Sequence, residues 1–225
     1  MHSFICVLFS PSHFRTCSFR SCIACFIPSC RNTALHMAAC LEKPNTADIV
    51  QILLNNGANA SERNVQESTP LHSACQVGQA FVVMLLLDQG CPAAAVNSAG
   101  DTALDIAARN GHRDVVTLLL EHEPSLRTDT RALREAAKTG KKDVARLLLD
   151  LGLDCTASDL VTGDTALHEA CRFVRAEVAE HLLAFGADAE VANAAGETPI
   201  AIVEAYPPGQ KRDTMLRLIR GERHG

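Results

Sequence analysis

The chain has no tryptophan, a single tyrosine and eight phenylalanines in 225 residues. With so few aromatics, packing must come from Leu, Ala and Val, which suits thin helices in close layers. Long apolar runs are also missing. Nothing approaches the ~20 residues needed to cross a bilayer, so no membrane association is expected. The run Phe4-Ile5-Cys6-Val7-Leu8-Phe9 is too short for a typical signal-peptide core, and no Lys or Arg precedes it. Positive charge is in deficit, with 21 Lys and Arg against 26 Asp and Glu and a net charge of −5. That balance argues against a nucleic-acid binder, which needs a positive surface to neutralise phosphates. There is no Gly-rich phosphate loop, no pair of catalytic carboxylates and no Ser-centred elbow, so no catalytic residue, cofactor or metal is expected.

What the chain has is a phrase that returns six times. It reads Thr33-Ala34-Leu35-His36-Met37-Ala38-Ala39, then Thr69-Pro70-Leu71-His72-Ser73-Ala74-Cys75, then Thr102-Ala103-Leu104-Asp105-Ile106-Ala107-Ala108. It continues as Arg131-Ala132-Leu133-Arg134-Glu135-Ala136-Ala137 and Thr165-Ala166-Leu167-His168-Glu169-Ala170-Cys171, and ends in a worn copy, Thr198-Pro199-Ile200-Ala201-Ile202-Val203. The starts lie 36, 33, 29, 34 and 33 residues apart. A period near 33 means a stack of similar units in which each buries its apolar face only against its neighbours.

The third copy shows the physics of one unit. Asn97-Ser98-Ala99-Gly100-Asp101 is rich in turn formers and predicts a tight hairpin tip. Thr102 predicts the cap of a short helix through Leu104, Ile106, Ala107 and Ala108. Asn110-Gly111-His112 ends it, and a second helix follows from Asp114 with Val115, Val116, Leu118, Leu119 and Leu120 as its stripe. Similar stripes run through Ile49–Leu54, Val82–Leu87, Val144–Leu149 and Val178–Leu183, and Gly57, Gly90, Gly152 and Gly186 close those four helices.

The phrase, the Leu stripe and the closing Gly together resemble the ankyrin-repeat family over about residues 31–221. The resemblance implies an all-α repeat solenoid, a right-handed helix–turn–helix stack with projecting β-hairpins or loops and a concave inner-helix face. It also implies a binding scaffold without catalytic activity. Repeats then start near residues 31, 64, 97, 126, 160 and 193, with a leader at 1–30 and a tail at 222–225. Thr33, His36, Thr69, His72, Thr102, Thr165, His168 and Thr198 are the motif residues. Each His is expected to bond nearby backbone and tie a hairpin to a helix.

Three departures carry expectations of their own. Around Lys43-Pro44-Asn45 the first repeat has three extra residues, which predict a longer turn. Before the fourth phrase four residues are missing, Glu123-Pro124 stands where Gly-Ala is expected and Arg131 replaces the capping Thr, so a shortened or absent hairpin is expected. Tyr206-Pro207-Pro208-Gly209-Gln210 adds about four residues before a last helix whose Lys211, Arg212, Arg217 and Arg220 suit a polar cap.

The stretch before the repeats is Cys-, Ser- and Phe-rich without repeat pattern; the array is expected to have once continued N-terminally, with residues 1–30 a poorly ordered leader or a gene-prediction artefact. Its His13, Cys17, Cys22, Cys25 and Cys30 make a metal-like cluster whose spacing does not match a zinc site. Its two Arg and lack of acid are too little for a transit peptide. Cys40, Cys75 and Cys171 fall at small-residue helix positions, as reduced and packed thiols would. The location expected is therefore intracellular, cytoplasmic or nuclear; Lys141-Lys142 is too short for a nuclear signal. His72-x-x-Cys75 and His168-x-x-Cys171 resemble a base–nucleophile pair only on paper, because the thiol should face the packed side.

In the ankyrin family, two rows of side chains line the concave face. The residue before each phrase gives Asn32, Ser68, Asp101, Thr130, Asp164 and Glu197. The residue after it gives Cys40, Gln76, Arg109, Lys138, Arg172 and Ala205. Arg109, Lys138 and Arg172 should form a basic stripe beside Asp101 and Asp164, with Phe173 and Met37 as apolar anchors. The bland alternative is local pairing of each base with a neighbouring acid. The function expected is a monomeric scaffold or adaptor for a protein with an acidic or phosphorylated segment. Alternatives are the substrate-recognition subunit of a ubiquitin ligase whose docking box is missing here, or the ankyrin fragment of a larger enzyme or channel.

Overall fold

A computed structural model describes residues 31–221. The leader with its Cys/His cluster, and residues 222–225, lie outside the described residues. Twelve α-helices stand among those described. They are α1 (Ala34–Ala39), α2 (Thr46–Asn55), α3 (Pro70–Val77), α4 (Ala80–Asp88), α5 (Ala103–Asn110) and α6 (Arg113–His122). After them come α7 (Arg131–Thr139), α8 (Lys142–Asp150), α9 (Ala166–Arg172), α10 (Ala176–Ala184), α11 (Pro199–Glu204) and α12 (Gln210–Ile219). They alternate between an inner helix carrying the repeated phrase and an outer helix carrying the Leu stripe, so the fold is an all-α repeat solenoid. The chain divides into two compact units, the boundary falling between Ala103 and Leu104.

The phrase starts helices because of its Thr and its small residues. Thr33, Thr165 and Thr198 take extended backbone just before α1, α9 and α11. Their hydroxyls accept the amides of His36 at 3.4 Å, His168 at 3.5 Å and Ala201 at 3.2 Å, satisfying donors that the first helical turn leaves open. Pro70 and Pro199 occupy the first helical position, where a missing N–H costs nothing. Gly78 and Gly140 end α3 and α7 with φ of 82° and 76°, a left-handed backbone that needs no Cβ. The equivalent residue after α9 is Val174, held at φ 52°.

In residues 31–103, α1 packs on α3 and α2 on α4. Leu35, Val50, Leu71 and Leu86 are fully buried between these layers. In residues 104–221, α9 lies between α7 and α11, and α10 between α8 and α12. Leu104, Leu119, Leu133, Leu148, Leu167, Leu182 and Met215 fill that core. Each such side chain contributes roughly 1.5–3 kcal/mol by leaving water, and the Ala positions let the helices approach closely.

The irregular repeats fold as their sequences direct. In the Lys43-Pro44-Asn45 turn the buried Thr46 hydroxyl accepts the Lys43 amide at 3.2 Å and donates to the Leu41 carbonyl at 3.1 Å. The Gln79 amide nitrogen donates to that carbonyl at 2.7 Å, fixing the turn to the second repeat. Before the fourth phrase a 3-10 helix, Pro124–Thr128, replaces the hairpin and buries Leu126. Asp129 then accepts the Arg131 amide at 3.0 Å, serving the turn where a capping Thr is missing. The other loops close through side chains rather than strand ladders. Asn64 and Asn97 each accept two backbone amides from their own tips. Strand pairing among the described residues is limited to an isolated bridge between Ser158 and Thr165.

Candidate partner-binding surface

The three His of the phrase do the same work in each unit. His36 Nε2 donates to the Ser68 carbonyl at 2.8 Å, His72 Nε2 to Asp101 at 3.2 Å and His168 Nε2 to Glu197 at 3.1 Å. Each Nδ1 faces the Thr hydroxyl three residues earlier, at 2.8, 2.9 and 2.9 Å. Nε2–H donation leaves Nδ1 as an acceptor, so the neutral ring satisfies both sides. Burial, outweighing the bonds to backbone carbonyls, pushes His36 and His72 below the ordinary imidazole value. These rings hold successive repeats together and do not converge on a reaction centre.

The cysteines beside them are packed as the sequence suggests. Cys40, Cys75, Cys91, Cys155 and Cys171 are all buried. Burial pushes the Cys171 thiol up to about 12 and the Cys75 thiol higher still, far from a reactive thiolate. Among the described residues, no group of three or more His, Cys, Asp or Glu is arranged to hold a metal ion.

In residues 31–103, Gln76 is exposed near the end of α3, whereas Cys40 at the matching place in the first repeat is buried. Asp101, expected at a displayed tip, is buried instead. The loops of this unit are joined edge to edge. Asn64 donates to Asn32 at 2.8 Å, the Ser98 amide to the Gln66 carbonyl at 2.9 Å, and Arg63 to the Val96 carbonyl at 3.1 Å.

In residues 104–221 the basic row exists, and its two arginines, Arg109 and Arg172, are locked into ion pairs. Arg109 Nε meets Glu135 at 2.7 Å, so a side chain of α5 holds one of α7. Arg172 grips Asp164 with two guanidinium nitrogens at 2.7 and 3.1 Å and also lies 3.4 Å from Glu169 and 3.8 Å from Glu197. Asp164 is 4 % exposed, so it is the buried counter-charge of Arg172 rather than a displayed tip. Burial works against its ionisation, but bonds from Arg172 and Asn193, the latter at 2.8 Å, hold it below the usual carboxylate value. Burial pushes Glu169 the other way, upward.

Lys138 is placed differently. It is exposed, and its ammonium sits 5.8 Å from the centre of the Phe173 ring, itself 41 % exposed, a cation–π arrangement. The Lys138 carbonyl accepts from Arg175 Nε at 3.2 Å, and the Arg172 carbonyl accepts from the Tyr206 hydroxyl of the inserted loop. Phe173 and Tyr206 thus flank a supported patch at the ends of α7 and α9.

A family model described as "Ankyrin repeats (3 copies)" matches residues 35–130 and 122–195. The chain belongs to the ankyrin-repeat family. Ankyrin repeats generally mediate protein–protein interaction, and the family is typically non-catalytic. Among curated proteins the chain is similar to Ankyrin repeat domain-containing protein 40 of Mus musculus, 37 % identical over 70 residues, covering 31 % of this chain and 19 % of that protein. It also resembles Protein phosphatase 1 regulatory subunit 27 of Mus musculus, 36 % identical over 73 residues, covering 32 % and 47 %. The chain therefore spans less than half the length of either relative. A solved ankyrin repeat domain from Acinetobacter baumannii AYE superposes with a TM-score of 0.68 at 22 % identity, covering 83 % of this chain and 96 % of that one. The ankyrin repeat domain of Bcl-3, a member of the IkappaB protein family, gives 0.67 at 26 % identity, covering 85 % and 83 %. No helix among the described residues is long and apolar enough to cross a membrane.

Proposed function

We propose that this ankyrin-repeat protein is a non-catalytic adaptor that holds a partner protein on the inner-helix surface of residues 104–221, with Lys138 and Phe173 at the centre of contact. The observation that carries this is the Lys138–Phe173 platform at a repeat position whose neighbours, Arg109 and Arg172, are fixed by carboxylates. A half-exposed aromatic under a cation offers apolar area and charge together, as binding hot spots do. The partner segment we favour is acidic or phosphorylated. Such a segment meets Lys138 first and competes with Glu135, Asp164 and Glu197 for the two guanidinium groups. The similarity to a phosphatase regulatory subunit supports a regulatory adaptor. The buried thiols of Cys75, Cys91, Cys155 and Cys171 support work in a reducing compartment, cytoplasmic or nuclear, and we take the working form to be a monomer.

The test is affinity capture with the full chain, the Lys138→Glu/Phe173→Ala variant and an outer-helix control, Arg146→Glu. Proteins recovered by the native chain and the control, but lost by the platform variant, support the proposal. Equal recovery by all three refutes it.

A further inference from the structure

The outer helices of residues 31–103 turn an apolar side to solvent. Ile52 on α2 is 60 % exposed, and on α4 Phe81 is 73 % and Met84 41 % exposed. α2 and α4 pack side by side, and each carries one charged residue, Asp48 and Asp88, both exposed acids. The corresponding helices of residues 104–221 differ. The second residue of α6, α8 and α10 is Asp114, Asp143 and Glu177, where α4 has Phe81. Stacking within the array does not account for this face, since the stacking side chains Val82, Val83, Leu86 and Leu87 are separately buried. An exposed Phe, Ile and Met on adjoining helices whose own charged residues are both acids calls for an apolar occupant with basic flanks.

The chain carries such a segment. Residues 1–30 contain the run Phe4-Ile5-Cys6-Val7-Leu8-Phe9, then Arg15 and Arg20, and no Asp or Glu. Residues 31–103 carry six acids against three bases, so the charges are complementary. Twenty-one residues separate Phe9 from Arg31, a tether that can reach at most about 70 Å, and because run and face share one chain their encounter is intramolecular.

We infer that the outer face of α2 and α4, at Ile52, Phe81 and Met84, is an intramolecular docking site for the Phe4–Phe9 run. The docked run removes this face from water and from other proteins. Displacing it exposes a second apolar surface, separate from the Lys138–Phe173 platform.

The experiment is methionine oxidation by dilute peroxide in the full chain, read by peptide mass spectrometry, with buried Met215 as the internal control. Phe4→Asp/Leu8→Asp changes only the leader, and Phe81→Asp changes only the face. Each should raise Met84 oxidation about three-fold or more while Met215 stays slow. Identical Met84 rates in the native chain and the leader variant overturn the inference. Protection that grows with protein concentration and survives the leader substitutions also overturns it, in favour of a second copy on this face. Neither result bears on partner capture at Lys138.

Discussion

Residues 31–103 and 104–221 use one repeat design and join their repeats by different chemistry. In the first, the ties are mainly neutral: His36 to Ser68, His72 to Asp101, Asn64 to Asn32 and Gln79 to Leu41. In the second, ion pairs are added, with Arg109 on Glu135, Arg134 on Asp159, Lys142 on Glu177 and Arg172 on three carboxylates. Position four of the phrase shows the addition most clearly: it is His36 and His72 in the first unit, while the second keeps His168 and adds Arg134, and all four reach the loop of the following repeat. The outer helices differ the same way, apolar at Phe81 and Met84, charged at Asp114 and Asp143. One backbone plan therefore accepts a neutral or an ionic coupling, and the choice sets how each unit answers pH and substitution.

The largest effect should be shared. Leu71→Ala and Leu167→Ala each empty a fully buried site, and each should cost about 3 kcal/mol in denaturant unfolding. A loss in only one unit would mean that the apolar packing is not common to both. Next, Arg172→Ala leaves Asp164 buried without its counter-charge. Partial exposure of the guanidinium reduces the penalty to about 2 kcal/mol. Arg172→Lys should restore only part of that, because the two-nitrogen grip is lost.

His72→Ala should cost about 1.5 kcal/mol, by leaving the buried Thr69 amide without its acceptor and removing the tie to the Asp101 carbonyl, which keeps its bond from the Asn97 amide. It also changes the acid response. His36 and His72 are depressed in the folded protein, so the unfolded chain binds more protons between the folded and unfolded values. Their contribution is complete above an unfolded value of about 6.5 and is lost as pH falls through the lower folded values. Thermal melts from pH 8 to 5 should show the first unit weakening below about 6.5, and His36→Ala/His72→Ala should flatten that slope. Asp164, also depressed, holds its contribution above about 3.9 and loses it only in stronger acid. The smallest effect is a gain. Val174→Gly relieves a β-branched residue at positive φ and should add about 1 kcal/mol. An unchanged melting temperature would mean that Val174 carries no such strain.

Much of this could be read in the chain because it is local. Thr followed three residues later by His places a hydroxyl and an imidazole on one helical turn, so the caps and the role of His36, His72 and His168 follow from spacing. Gly78 and Gly140 mark helix ends for the same local reason. The burial of Asp164 was not legible, since its partners Arg172 and Asn193 come from different helices and loops and only the stack brings them together. The basic stripe was visible as a row, but its engagement by Glu135 and Glu197 depends on side-chain geometry that spacing does not contain. Replacement of a hairpin by the 3-10 helix at Pro124 was legible as a deletion, though not as a helix. Phe81 was visible where other repeats carry an acid, a signal whose meaning required knowing which side of α4 is buried.

The most direct test of the adaptor reading is a solvent-accessibility footprint of the full chain, alone and with a captured partner. We expect protection at Lys138, Phe173 and Tyr206, with the outer faces of α6, α8 and α10 unchanged. Protection confined to those outer faces, with Lys138 and Phe173 as accessible as before, would contradict it.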